Sequence, residues 1–285
     1  MKILICVLLA LTFVSEVSLA QENDGAKIVT ADDDGGGITN SKMKAMAGSE
    51  SRYSFKMNLK YLGSSIKDPG KSNRPNPDNS LVIPKTELQG SVSGVYRIDK
   101  STTLAAGTGI TFVEPEKNLE QSEMATPYLT YSHSFSKYGM EHNSSAKYSY
   151  YTGRTRDSGR DMHLTLSHYF AKKVGDSRLT IGADVGIGGS TFTVSDTDDL
   201  DWGWGLSPFA EYMIKDGFTA TVVVVTGGSH YRLRDKIESD TILAELGVGI
   251  AATEKIYVNP VIAMYPEDPN LDTTTFSVNT IVNAF

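Results

Sequence analysis

The sequence predicts an all-β fold: a transmembrane up-and-down antiparallel β-barrel of about twelve strands. Three observations predict it. Apolar and polar residues alternate in about twelve short segments. Each segment runs roughly 9–13 residues, the length a tilted strand needs to cross a bilayer. The connections between the segments are alternately short and long.

The chain opens on an export signal, Met1 to Ala20. Lys2 supplies the positive start, Ile3 to Val14 the apolar stretch, and Ser18-Leu19-Ala20 the small residues of a cleavage site. The apolar run is too short for a membrane helix, which needs roughly 20 residues. Cleavage before Gln21 removes Cys6, the single cysteine, so neither a disulfide nor a thiolate is expected in the mature chain. Residues 21–49 are poor in bulky apolar side chains and contain Asp32-Asp33-Asp34-Gly35-Gly36-Gly37. They read as a disordered tail. The Asp run lacks the spaced ligands and closing glutamate of a calcium loop. The barrel domain is expected over residues 50–285.

From Arg52 the period is two. Tyr53, Phe55, Met57, Leu59 and Tyr61 share one face, with Ser54, Lys56, Asn58 and Lys60 on the other. The apolar stripe continues as Leu88, Val92, Tyr96 and Ile98. It recurs as Leu104, Ala106, Ile110 and Phe112, then as Leu129, Tyr131 and Phe135. Met140, Ala146, Tyr148 and Tyr150 carry the fifth segment, and Met162, Leu164, Leu166 and Phe170 the sixth. Leu179, Ile181, Ala183, Val185 and Ile187 form the cleanest stripe, followed by Trp202, Trp204, Leu206, Ala210 and Tyr212. The last four segments centre on 222–225, 246–250, 256–262 and 276–282.

Short polar connections fall at Asp99-Lys100, Ser136 to Tyr138, Lys172 to Asp176, Lys215 to Gly217 and Thr253 to Lys255. Longer ones fall at Gly63 to Pro84, Glu114 to Glu123, Thr152 to Arg160, Ser190 to Asp201, Gly227 to Ser239 and Pro266 to Thr273. Aromatic residues gather near segment ends, as amphipathic rings do at headgroup level. No run of 18 apolar residues follows the signal, which excludes a helical span. The slightly negative mean hydropathy suits a barrel, where only every other residue meets lipid. Pro127, Pro208 and Pro260 fall inside predicted strands and are expected at bulges or strand ends. His133 and His168 carry the lipid-facing parity, which places them near an interface.

The terminal segment, Thr274 to Phe285, ends on phenylalanine. This resembles the carboxyl-terminal signal of Gram-negative outer-membrane β-barrel proteins, porin-like in layout, with no subfamily motif. The resemblance implies recognition of that strand, through Phe285, by the barrel-assembly machinery. It also implies a bacterial outer-membrane location, with outer-membrane lipid and lipopolysaccharide as surroundings and both termini in the periplasm. Phe285 shares parity with Asn279 and Asn283 rather than with Phe276, Val278, Val282 and Ala284, so a bulge near the end is expected.

The net charge of −7 argues against nucleic acid as a partner. Arg154, Arg156, Arg160, Arg232, Arg234 and Lys236 in long loops suit lipopolysaccharide phosphates. Asp196, Asp198, Asp199 and Asp201 read as a solvated acidic loop. His230 is the one histidine in those loops, and nothing in the sequence fixes it against a carboxylate as a protease would require. His142-Asn143-Ser144 resembles the His-x-Ser pair of outer-membrane phospholipase A, where histidine activates serine. It departs by lying after a short connection and by lacking an Asn on the next segment, so it reads as a polar interfacial pair. No catalytic residue, metal or cofactor is expected.

The inward face carries the candidate pore-lining residues: Lys56, Lys60, Arg97, Lys147 and Arg178 against Glu87, Glu141, Asp184, Glu211 and Glu245. Gly107, Gly109, Gly182, Gly186 and Gly188 lie on the same face. Eight strands leave a lumen filled by side chains, and sixteen leave a water channel. Twelve lies between. The expected function is a small porin-like channel for small polar solutes. The alternatives are a closed-lumen structural or surface-interaction barrel and, behind it, an outer-membrane lipid hydrolase.

Overall fold

The computed structural model describes residues 51–75, 85–113, 122–157, 159–194, 200–233, 236–239, 241–253 and 255–284. The export signal, the acidic tail, Asp196 to Asp199, Arg234 and Phe285 lie outside them. Among the described residues there are thirteen strands: β1 (Tyr53–Ser65), β2 (Glu87–Arg97), β3 (Thr102–Val113), β4 (Ser122–Lys137), β5 (Met140–Tyr150), β6 (Arg160–Lys173), β7 (Leu179–Phe192), β8 (Leu200–Lys215), β9 (Phe218–Tyr231), β10 (Lys236–Ser239), β11 (Leu243–Thr253), β12 (Ile256–Met264) and β13 (Thr275–Ala284).

Each strand pairs antiparallel with its successor from β1 to β9, then β9 with β11, β11 with β12, and β12 with β13. β13 returns to β1, with Phe55 opposite Ala284 and Leu62 opposite Ser277. The result is a closed twelve-stranded barrel. β10 stands outside the count, folding back on the end of β9 with Lys236 opposite Tyr231 and Ser239 opposite Gly228. The expected long loop from Gly227 to Ser239 is therefore mostly hairpin. A one-turn helix, α1 (Gly153–Asp157), interrupts the β5–β6 loop.

Alternation sets the two faces. Along β1, Lys56, Asn58, Lys60 and Leu62 are buried while Phe55 and Tyr61 are exposed. The same holds on β6, where His163, Thr165 and Tyr169 are buried between the exposed Leu164 and Leu166. Large exposed apolar residues on strands all round the barrel belong to the outward stripes: Phe112, Tyr131, Tyr148, Ile181, Val185, Ile187, Trp204, Val222, Leu246, Ile262 and Phe276. A soluble barrel inverts this, with apolar residues inside. Here the outer belt needs a hydrocarbon solvent.

Local chemistry fits the turns. Tyr138 (φ 56°) and Gly139 (φ 69°) form the two-residue β4–β5 connection, and two positive φ values match the right-handed twist of a tight hairpin. Pro127 sits at a bulge, as expected: Thr108 faces Pro127, Gly109 faces Ala125, and Thr126 (φ 62°) is extruded between them. The Thr126 amide donates to Thr152 Oγ1 at 3.0 Å.

The other two prolines correct the expectation of bulges or strand ends. Pro208 faces Ala183 in an unbroken β7–β8 ladder. Toward β9, pairing stops at Leu206–Thr226 and resumes at Phe209–Val223 in the same register. Pro260 faces Val278 on β13, and pairing with β11 likewise skips from Gly247–Val261 to Ile250–Val258. Each proline turns its missing N–H to one neighbour and leaves the other ladder intact. The bulge expected near the end of β13 is also absent among the described residues: pairing with β1 runs unshifted to Ala284, and Phe285 lies beyond.

Facing can be tested at neighbouring positions of β7. Val185 is exposed on the outer belt and Asp184 points inward. Val185→Arg is expected to cost roughly 2–4 kcal/mol at mid-membrane and to lower folded yield well below that of Asp184→Ala. Heat-modifiable migration on a denaturing gel measures both yields.

Candidate functional site in the barrel lumen

The lumen is polar because every second residue of each strand points into it. Hydroxyl and amide side chains coat much of the wall. Ser145 and Ser167 hydroxyls lie 2.8 Å apart, Asn143 Nδ2 donates to Ser134 Oγ at 2.8 Å, and His163 Nδ1 meets Ser190 Oγ at 2.9 Å.

Charge of both signs is spread over this surface. Lys56 and Lys60 on β1, Arg97 on β2 and Lys147 on β5 supply the cations, and Glu87 on β2, Glu141 on β5, Asp184 on β7, Glu211 on β8 and Glu245 on β11 the anions, so that β2 and β5 carry both. Nine of the ten residues expected on the inner face lie on barrel strands at inward positions; Arg178 does not. It is exposed in the β6–β7 turn, where its guanidinium donates to the Ile214 carbonyl at 2.9 Å. Strand parity was extended one residue past the start of β7, into a turn where it has no meaning.

The inward charges differ in access. Lys56 is 2% exposed, and Lys60, Lys147 and Glu211 are also buried. Lys147 lies over the Tyr128 ring, its Nζ 4.3 Å from the centroid. Glu87, Arg97, Glu141, Asp184 and Glu245 are half-buried, as are Gln89, Asn259 and Asn279. Water-sized space therefore remains inside, with polar and charged groups on its walls.

Aromatic rings narrow that space. Tyr169 and Phe209 stack on the inner wall at 5.2 Å. The Phe209 ring lies where a Cβ on Gly182 would stand, and Tyr257 covers Gly249 in the same way. At Gly182 and Gly249 the missing side chain makes room for a ring. The rings were legible as residues, but their direction across the wall depends on register.

The long β1–β2 loop adds one residue that strand parity could not find. Asn73 bridges to Lys85, and the Thr86 amide donates to the Ser72 carbonyl at 2.8 Å, closing the base of the loop. Arg74 is half-buried in the field of Tyr265, Glu87 and Glu245; desolvation pulls its guanidinium below its ordinary value, while these three groups favour its charged form. Lys60 Nζ lies 3.9 Å from Glu245 Oε1, although two strands separate β1 from β11. The end of the lumen beside the β1–β2 loop is thus a small charged cluster of Arg74, Lys60, Glu87 and Glu245. Among the described residues, no group of three or more His, Cys, Asp or Glu is arranged to hold a metal ion.

No protein-family model matches the chain, and no curated protein matches it. Similar solved structures include an outer membrane channel from Pseudomonas putida F1. It is 10% identical, with a TM-score of 0.48, over 83% of this chain and 97% of that one. A loop L8 deletion mutant of OmpT, an outer membrane protein of Vibrio cholerae, is 9% identical with a TM-score of 0.40. It covers 81% of this chain and 97% of that one.

Removing one anion from this cluster leaves the buried Lys60 and the half-buried Arg74 under-compensated. Glu245→Gln is expected to destabilise the barrel by about 1–3 kcal/mol. Glu238→Gln, which removes an ion pair with the exposed Lys236 on β10, is expected to have a smaller effect. The temperature at which each variant loses its folded gel band makes the comparison.

Proposed function

We propose that this chain is a bacterial outer-membrane barrel that passes small polar solutes through a narrow lumen, with both termini on the periplasmic side. One observation carries the reading: an apolar outer belt encloses a polar lumen whose half-buried walls carry charges of both signs. A wall of this kind offers a permeating solute replacement partners for its hydration shell, whichever end of its dipole leads. The rings of Tyr169, Phe209 and Tyr257 limit the passage to small solutes. The shorter connections suit the periplasmic side and the longer ones the outer side. Outer-membrane lipid and lipopolysaccharide are the proposed surroundings, and the terminal strand is the proposed contact with the assembly machinery.

A second reading has its own support. The near-complete burial of Lys56, Lys147 and Glu211 and the approach of Lys60 to Glu245 are also what a lumen shut by internal pairing displays. That barrel serves as a structural or surface-interaction element.

Planar-bilayer recording separates the two. The channel reading expects small, weakly selective conductance. Asp184→Lys should move the reversal potential in a salt gradient toward anions, and Arg97→Glu toward cations. Arg74→Ala should raise the conductance by clearing the cluster beside the β1–β2 loop. A silent wild type favours the closed-lumen reading, and a conducting barrel indifferent to all three substitutions removes these residues from the pathway.

A further inference from the structure

The outer wall carries a second polar constellation, apart from the lumen. Ser144 on β5 faces His133 on β4 and His168 on β6 in the cross-strand register. One row toward the short turns, Phe135, His142 and Phe170 stand side by side. All six have outward parity and none is fully buried. Ser144 Oγ lies 2.9 Å from His168 Nδ1, and His142 Nδ1 lies 3.2 Å from His168 Nε2. The Phe135 ring stacks on His142 at 4.8 Å with an interplanar angle of 10°.

We propose that Ser144, His168 and His142 form a nucleophile relay on the lipid-facing wall that cleaves the acyl ester of a membrane glycerophospholipid. The proton logic runs in one direction. If the Ser144 hydroxyl donates to His168 Nδ1, the proton of neutral His168 sits on Nε2, the atom that faces His142 Nδ1. His168 is then the general base, and His142 is a positioning residue that holds the tautomer and stabilises the imidazolium. The sequence spacing had suggested His142 as the partner of Ser144. The strand pairing gives that place to His168, because cross-strand neighbours approach more closely than residues i and i+2.

Depth and shape select the substrate class. Ser144 is four residues from the start of β5, which on a tilted strand is about 10 Å from the short turn. The relay thus sits toward one end of the apolar belt, and the proposal places a leaflet's glycerol ester bonds at that level. On the mid-membrane side the next row is Tyr131, Ala146 and Leu166. Tyr131 and Leu166 are exposed and large, so Ala146 is the floor of a shallow trough ending at Ser144. An acyl chain laid along it presents its carbonyl carbon to the serine.

The chemistry balances without a further cofactor. Ser144 Oγ bonds to the ester carbonyl carbon while its proton passes to His168 Nδ1. The tetrahedral adduct collapses by breaking the bond from that carbon to the glycerol oxygen, which takes the proton from His168 and leaves as a lysolipid. Water then attacks the acyl-serine, giving its proton to His168. The free fatty acid departs as Ser144 Oγ regains that proton.

The test uses the full chain reconstituted in phosphatidylethanolamine vesicles, with a long-chain alkyl fluorophosphonate as probe and heat-modifiable migration to confirm folding. The expected result is labelling of Ser144 in the wild type, lost in Ser144→Ala and slowed about 100-fold in His168→Ala. The lumen-facing Ser145→Ala should label normally. His142→Leu should slow labelling and shift its pH profile, whereas His142→Asn, which keeps an acceptor near the Nδ1 position, should restore both. Fatty-acid release from the vesicles should follow the same order. An unlabelled wild type overturns the proposal, as does labelling that persists in Ser144→Ala or ignores His168→Ala. Conductance is independent of every one of these outcomes, so failure here is distinct from failure of the channel reading.

Discussion

Everything in this molecule depends on the β1–β13 ladder. In hydrocarbon, an unpaired backbone amide or carbonyl costs several kcal/mol, and an open sheet has two rows of them. Eleven sequential pairings would still leave a curled sheet with two wet edges. The unshifted run from Phe55–Ala284 to Leu62–Ser277 joins the first strand to the last and removes both. Only after that closure does alternation acquire its meaning, with one parity solvated by lipid and the other by whatever the lumen holds.

Closure also creates the electrostatic problem of the interior. Charged groups turned inward lose bulk water and gain only one another. The cluster beside the β1–β2 loop meets this with mixed signs: Arg74 arrives from that loop, Lys60 from β1, Glu87 from β2 and Glu245 from β11. Lower down, Lys147 rests on the Tyr128 ring, and a cation–π contact replaces part of the lost hydration. The half-buried Asp184 keeps part of its hydration instead.

The fold was legible because its signal is periodic and repeated. Twelve stripes and the alternation of connections needed no tertiary information, and the residues at their centres lie on the strands they predict. What was not legible depends on register. The sequence places Ser144 beside His142, but only the pairing of β5 with β6 brings His168 to it. Arg178 failed for the opposite reason, since a turn breaks parity. Arg74 carried no periodic signal at all, and neither did the folding of β10 onto β9. Pro208 and Pro260 were visible as anomalies, but a bulge and a one-sided gap look the same in sequence.

Those two prolines have a joint consequence. Pro208 interrupts the β8–β9 ladder and Pro260 interrupts the β11–β12 ladder, while β9 and β11 pair with each other without a break from Leu243–Val225 to Ile250–Phe218. The two strands thus form a stave with a weakened joint along each side, set in a wall whose other joints carry full ladders or a single bulge. Thermal motion in a closed cylinder concentrates where the hoops are thinnest. This stave is where the cylinder will first flex, admit water between strands and exchange its amide protons.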